Sequence, residues 1–161
     1  MDRNKKLRKT VIFAACLCYF AIMLYLLFIQ RLGRSYLNYW DRVQNAVNLI
    51  PFHTITQFVG NLSSKRADIA QRAFVNLVGN IAMFIPLGLF LPYYRKKQRK
   101  YRSFILTIVL SITVVELLQV FTLLGSCDVD DLIFNTVGAS IGFLIFKIIQ
   151  FHVNHRGKRT K

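Results

Sequence analysis

The chain has 161 residues, of which 54% are hydrophobic and 14% aromatic, and its formal net charge is +15. A charge of this size can indicate a nucleic-acid-binding protein, but here the basic residues lie between long apolar runs. Nucleic-acid-binding domains instead carry their charge on one face of a soluble fold, so nucleic acid is excluded as a partner.

Four apolar segments are long enough to cross a bilayer, which needs about 20 apolar residues in helical conformation. They comprise residues 11–29, 74–94, 104–124 and 132–151. The first segment is too long for a cleaved signal peptide, and no small-x-small cleavage site follows it. The sequence therefore predicts an all-α membrane protein with four transmembrane helices, in a single domain that covers residues 11–151 and lies in the lipid bilayer of the cell membrane.

The distribution of basic residues predicts how these helices are oriented. Of the 22 lysines and arginines, 16 lie at the N-terminus, in the connection "RKKQRKYR", or from residue 147 onward. The positive-inside rule places such clusters in the cytoplasm. We therefore predict a cytoplasmic N-terminus (residues 1–10), a cytoplasmic tail (residues 152–161), and two extracellular loops at residues 31–73 and 125–131.

The longer loop contains a further apolar stretch, "NLIPFHTITQF", which begins at Asn48 and includes Pro51. It is too short to span a membrane, so we expect it to lie at the outer interface or to dip in as a re-entrant segment. Lipid cannot satisfy the backbone of a re-entrant segment, which other parts of the protein would have to cover.

Polar side chains are concentrated in the outer halves of the last three predicted helices. An ionisable residue inside a membrane is costly and indicates a functional site by default. The polar residues are Asn76 and Asn80, then Glu116 and Gln119, and finally Asp131 and Asn135. Together they predict a polar pocket that opens to the outside and is capped by the acidic loop with Asp128.

The spacing of residues in the fourth predicted helix indicates that its polar residues face the interior of the bundle. Asp131, Asn135, Gly138 and Gly142 are separated by steps of four, three and four residues, so they share one helical face. Glycines on such a face let another helix approach closely. The polar outer end of the same face would then point into the bundle.

Each polar residue also has a purely structural interpretation. Asp128 or Asp130 could cap the fourth helix, because carboxylates complement the exposed N–H groups of a helix N-terminus. Asn76, Asn80 and Gln119 could serve only as hydrogen bonds between helices. Glu116 could be protonated, or could pair with Arg72.

Several motifs resemble the VanZ family, in the same order along the chain. They are "NLIPF" in the first loop, "NLVGNIAMFIPLG" in the second helix, "ELLQ" in the third, and "DVDDLIFNTVGASIG" leading into the fourth. The resemblance covers roughly residues 45–150. It implies a four-helix bacterial membrane protein of the cell envelope, associated with low-level teicoplanin resistance and without an established biochemical activity.

The family pattern extends to particular residues of this chain. It includes Glu116, Gln119, Asp128, Asp131, Asn135 and Gly138. Some members carry an arginine just ahead of the acids, where this chain has Ser126 and Cys127. The counter-ion that such an arginine would give Asp128 is therefore not carried over.

Two classes of function fit these observations. In the first, a non-enzymatic envelope protein binds a lipid headgroup, a cell-wall precursor or a lipoglycopeptide in the outer pocket, where carboxylates suit a cationic amine. In the second, a metal-assisted enzyme acts on a headgroup, with Asp128, Asp130 and Asp131 as the oxygen ligands that Mg²⁺ or Ca²⁺ prefers. The sequence favours binding, because no nucleophile and base are paired and the "GASIG" run lies within a helix rather than at a strand-to-helix turn. It predicts no other cofactor and leaves the oligomeric state open.

Overall fold

The structure is a computed structural model that describes residues 3–29, 47–61, 67–124 and 127–159. Within these ranges the chain forms five α-helices and two very short strands. In chain order the elements are α1 (Arg3–Leu27), β1 (Val47–Asn48), α2 (His53–Asn61), α3 (Ala67–Tyr94), α4 (Tyr101–Phe121), β2 (Cys127–Asp128) and α5 (Val129–Arg159), with a 3-10 helix at Lys96–Arg99 between α3 and α4.

Four of these helices are long and apolar enough to cross a membrane, which confirms the predicted all-α membrane fold. The spans are Lys6–Leu27, Asp68–Tyr94, Tyr101–Phe121 and Val129–His155. Large apolar side chains on them are exposed, including Val11, Leu106, Leu110 and Ile148. In a water-soluble protein such a surface would drive aggregation, whereas in a bilayer it contacts lipid.

The helix ends differ from those predicted by hydropathy. The helix α3 begins at Ala67, seven residues before the apolar run that starts at residue 74. The helix α4 ends at Phe121 because Leu123 adopts a left-handed conformation, with φ of 58°. The Leu124 N–H then donates to the Gln119 carbonyl at 2.9 Å and the Leu123 N–H to Val120 at 3.0 Å, the pattern of a Schellman C-cap.

The closest helix pair is α3 with α5, and glycines bring their backbones into contact. A Cβ atom added to Gly138 would collide with the carbonyl oxygen of Ile81, and one added to Gly142 with that of Ile85. Gly88 on α3 lies equally close to the backbone of Ala139. This glycine seam therefore fixes the separation of α3 and α5, as small residues do in membrane helix pairs.

The apolar core lies between α3, α4 and α5. Phe84, Phe104, Ile108, Ile112, Ala139 and Phe143 are its buried members. The rings of Phe104 and Phe143 pack with their centroids 4.7 Å apart. Helix α1 packs on the outside of this core, where the Tyr19 hydroxyl donates to the Met83 carbonyl of α3 at 2.8 Å.

The two ends of the bundle differ in charge. We call "acidic end" the end formed by β1, β2, α2 and the first turns of α3 and α5. We call "basic end" the opposite one, formed by the 3-10 helix, the first turns of α1 and the last turns of α5. Helix α5 begins at Val129, so Asp130 and Asp131 belong to its first turn rather than to the preceding loop.

Candidate functional site

The acidic end is organised by a pair of strands from distant parts of the chain. Strand β1 pairs in parallel with β2, with Val47 opposite Cys127 and Asn48 opposite Asp128. The Asn48 side-chain amide also donates to the Asp128 carboxylate at 3.1 Å. These contacts join the segment that precedes α2 to the start of α5.

Asp130 is the most deeply buried of the three aspartates, with none of its surface exposed. One carboxylate oxygen accepts the Phe52 N–H at 2.5 Å and the other accepts the Thr54 N–H at 2.7 Å. These are N–H groups at the beginning of α2, where a helix leaves its first donors without intrahelical partners. Asp130 therefore caps α2, a different helix from its own, whereas the sequence suggested a cap on the helix to which it belongs.

The tight turn that delivers these N–H groups is encoded by Pro51 and Phe52. Phe52 has a left-handed backbone with φ of 64°, a conformation that a bulky residue adopts only when its surroundings enforce it. Phe52 is held in this conformation by the strand pair that precedes it and by the buried Asp130 carboxylate, which accepts its N–H. The stretch that the sequence placed at the interface or in a re-entrant loop thus includes a capped helix, α2, that packs against α3.

Asp128 caps the helix to which it leads. Its Oδ1 accepts the Asp130 N–H at 2.9 Å, the geometry of an N-cap residue with the second helical N–H. Its other oxygen accepts the amide of Asn48. One of the two aspartates considered as a cap for the last helix therefore has that role.

Asp131 joins α5 to α3. Its Oδ1 accepts a short hydrogen bond from the Asn80 side-chain amide and lies 3.4 Å from the Asn76 amide nitrogen. Asp131 and Asn80 are both buried. The structure therefore brings together the asparagines of the second spanning helix and the aspartate of the fourth, as the spacing of these residues suggested.

Asn135 lies one turn further along the same face of α5 and is 3% exposed. Its Oδ1 is buried and has no hydrogen-bond partner within the described ranges. A buried amide oxygen without a partner loses the hydrogen bond that water gave it in the unfolded chain, which is costly. Such an atom, beside a carboxylate, is suited to accept a donor from a bound molecule.

Glu116 approaches the same region from α4 and is 5% exposed. Glu116 also affects the pKa of the Cys127 thiol on β2. Burial raises the pKa of the Cys127 thiol, and the negative charges of Glu116, Asp128 and Asp131 raise it further. Carboxylates from α4, from β2 and from α5 therefore all contribute to the raised pKa of this half-buried thiol.

Gln119 is directed elsewhere. Its side-chain amide donates to the Leu27 carbonyl, at the end of α1, at 2.9 Å. The last four carbonyls of a helix have no intrahelical partners, so this bond satisfies one of them. Gln119 thus ties α4 to α1, and this hydrogen bond is made with α1 rather than with Asn76, Asn80, Asp131 or Asn135.

We define the polar cluster as Asn76, Asn80, Glu116, Asp131 and Asn135. The three aspartates considered as metal ligands point to three different partners: Asn48, the N-terminus of α2, and the asparagines of α3. Among the residues with described positions, no three or more His, Cys, Asp or Glu side chains are placed to hold a metal ion. The cluster instead offers carboxylate and amide oxygens as hydrogen-bond acceptors, together with the amide N–H groups of the asparagines.

Sequence reasoning missed two residues that position this site. Asn48 contacts Asp128 and lies 3.4 Å from the ring Nδ1 of His53. Gly88 contributes to the glycine seam that sets Asn80 opposite Asp131. Asn48 belongs to the "NLIPF" motif, and a polar residue that starts an apolar run in a loop was the signal that could have identified it.

Comparison with known proteins found similar sequences that cover most of the chain. The family model of VanZ/LLP1 matches residues 11–150. Among curated proteins, the chain is similar to Protein VanZ of Enterococcus faecium, with 29% identity over 140 residues that cover 87% of this chain and 76% of that protein. No solved structure matches the chain.

Proposed function

The chain belongs to the VanZ/LLP1 family, and from that premise we propose that it acts in the bacterial cell envelope as a non-enzymatic protein that contributes to teicoplanin-type glycopeptide resistance. The polar cluster is the part of the molecule to which we assign this role. It would bind the cationic amine of a lipid headgroup, of a cell-wall precursor or of the lipoglycopeptide itself.

The observation that carries the proposal is the buried pair of Asp131 and Asn135. A carboxylate inside a membrane span costs several kcal/mol unless it is paired, so such a residue indicates a function by default. Hydrogen bonds from Asn76 and Asn80 offset part of this cost for Asp131. The neighbouring Oδ1 of Asn135 adds an acceptor that the surrounding described residues leave unused, which favours a ligand with N–H donors.

The distribution of charge supports an outward-facing cluster. The connection at the basic end carries six lysines and arginines in eight residues, and the positive-inside rule places such a connection in the cytoplasm. The acidic end would then face the cell wall, where glycopeptides and their targets are found. Both termini would be cytoplasmic.

The hydrogen bonds of Asp128, Asp130 and Ser140 support binding over a metal-assisted reaction or serine hydrolysis. Asp130 uses both of its oxygens on the backbone of α2, and Asp128 uses both of its oxygens on Asp130 and Asn48. The three carboxylates have different partners, so a cation held by all of them would require movements that break these hydrogen bonds and uncap two helices. The Ser140 hydroxyl, within the "GASIG" run, donates to the Thr136 carbonyl of its own helix at 2.8 Å. This backbone contact is that of a helical serine rather than of a nucleophile beside a base.

The direct test is teicoplanin susceptibility in cells that produce the chain or its variants at matched abundance. Asp131→Asn keeps an oxygen that can accept the Asn80 hydrogen bond but removes the charge, so the protein should accumulate while resistance falls. Asp68→Asn is the matched control, because Asp68 is an exposed aspartate in the first turn of α3, outside the cluster. It should leave resistance unchanged.

A double substitution tests whether Glu116 and Asp131 act together. Groups that act as a unit give non-additive losses, so Glu116→Gln with Asp131→Asn should cost barely more resistance than one change alone. Full resistance in the Asp131→Asn variant, or losses that follow protein abundance alone, would contradict the proposal. Independent, additive losses would assign Glu116 and Asp131 to separate structural roles.

A further inference from the structure

A groove of about 460 Å³ lies at the basic end, between α1, α3 and α5. This volume falls within the usual range of ligand pockets, roughly 300 to 1,000 Å³. Its lining combines arginines and amides with large apolar side chains, and none of the described residues that line it is acidic. The members that matter for its chemistry are Arg8, Arg99, Asn154, Phe90, Phe146 and Ile149.

Arg99 is held in place at the mouth of this groove. Its Nε donates to the Pro92 carbonyl at 3.2 Å, and its guanidinium carbon lies 5.7 Å from the centroid of the Phe146 ring. A guanidinium carries four further N–H donors on its two terminal nitrogens, in a planar arrangement that matches phosphate oxygens. Because the backbone bond and the ring already fix its orientation, Arg99 loses little conformational entropy when it binds an anion.

Polarity changes along the groove in the direction of the membrane normal. Arg8 lies near the beginning of the spanning part of α1, and Asn154 near the end of that of α5. Phe146 precedes Asn154 by eight residues, which corresponds to about 12 Å of helix towards the membrane centre. The groove therefore has a cationic mouth at the depth of the headgroups and an apolar floor at the depth of the acyl chains.

We propose that this groove binds one anionic phospholipid from the leaflet at the basic end. Its phosphodiester lies between Arg8 and Arg99, where charge-assisted hydrogen bonds form, and one acyl chain follows Phe90, Phe146 and Ile149. Basic pockets between transmembrane helices recognise anionic headgroups in this way. Binding at this position would also attach the beginning of α1 to the rest of the bundle, at the end opposite the Leu27 carbonyl that Gln119 already holds.

The test compares phosphatidylglycerol with phosphatidylcholine of the same acyl chains, bound to the purified full chain in detergent and counted by native mass spectrometry. Phosphatidylglycerol should bind about tenfold more tightly, because its net negative charge is not offset by a headgroup cation. Arg8→Gln with Arg99→Gln should remove that preference. Lys96→Gln with Lys97→Gln removes the same charge from exposed residues outside the groove and should preserve it.

A further variant and competition by glycerol phosphate complete the test. Val153 also lines the groove, beside Asn154. Val153→Trp leaves both arginines in place but puts an indole into the path of the acyl chain to the apolar floor, so it should also weaken phosphatidylglycerol binding. This variant replaces the arginine pair if Arg99→Gln does not fold. Equal binding of the two lipids, an equal loss in the lysine variant, unchanged binding in Val153→Trp, or displacement by glycerol phosphate alone would overturn the proposal.

Discussion

The two ends of the bundle use charge in opposite ways. At the acidic end the charges are few, and Asp130 and Asp131 are buried. The three aspartates at the start of α5 each contact a different element: Asp128 contacts β1, Asp130 contacts α2 and Asp131 contacts α3. At the basic end the charges are many and largely exposed, and the 3-10 helix alone carries three of them. Arg99 is an exception there, because its side chain is only partly exposed and makes a backbone hydrogen bond.

This difference determines what a single substitution should do. A buried carboxylate that accepts backbone hydrogen bonds is costly to remove, because its donors remain buried without partners. An exposed lysine contributes little by itself, since solvent and salt screen its charge. The acidic end should therefore respond strongly to single changes, whereas the basic end should respond mainly when several charges change together.

The largest expected effect is at Asp130. Asp130→Ala leaves the Phe52 and Thr54 N–H groups without their acceptor and should destabilise the protein by about 3 kcal/mol or more. Asp130→Asn retains one carbonyl oxygen and should cost about half as much, since asparagine also caps helices. The measurement is the thermal unfolding temperature in detergent.

The control for this comparison is Asp68→Ala. Asp68 is also in the first turn of a helix at the acidic end, but it is exposed. Its loss should cost less than about 1 kcal/mol, the usual interaction of a surface charge with a helix N-terminus. Similar losses for Asp130→Ala and Asp68→Ala would show that burial does not distinguish the two aspartates.

A smaller effect concerns the Cys127 thiol. Because its pKa is raised above the ordinary value of 9.0, alkylation should reach half its maximal rate at a pH above 9.0. Glu116→Gln or Asp131→Asn removes a negative charge that raises the pKa, so either change should lower that pH. Asp68→Asn should leave it unchanged. An unchanged pH profile in Glu116→Gln would contradict the effect of Glu116 on this thiol.

The same pKa shift has a consequence for stability. Well below pH 9.0 the thiol is protonated in both the folded and the unfolded chain, so it contributes no pH dependence there. As the pH rises through this value, the unfolded chain releases its proton before the folded chain does. The thiol should therefore make the protein less stable at alkaline pH, and Cys127→Ser should reduce that loss.

Hydropathy predicted the spanning helices because lipid imposes a simple requirement of length and apolarity. It misplaced their ends, since polar turns extend a helix beyond its apolar run, as at Ala67. A left-handed leucine also ended α4 where only a glycine or asparagine would have been expected. The ends of helices depend on local backbone hydrogen bonds, to which hydropathy is insensitive.

Some roles of the polar residues could be predicted from helical spacing, whereas others depend on contacts between distant parts of the chain. Helical spacing predicted that Asp131 and Asn135 share a face, and that glycines on the same face could admit another helix. It could not predict that Asp130 caps α2, because the two are more than seventy residues apart in sequence and are joined only by the fold. The bond from Gln119 to the Leu27 carbonyl is long-range for the same reason.

The central claim is that the acidic end faces the outside of the cell. Leu49, beside β1, is 71% exposed, and Lys97 in the 3-10 helix is also exposed. In a chain without its natural cysteines, Leu49→Cys should react with a membrane-impermeant thiol reagent in intact cells. Lys97→Cys should react only after the cells are permeabilised; the reverse pattern would place the polar cluster in the cytoplasm and contradict the account.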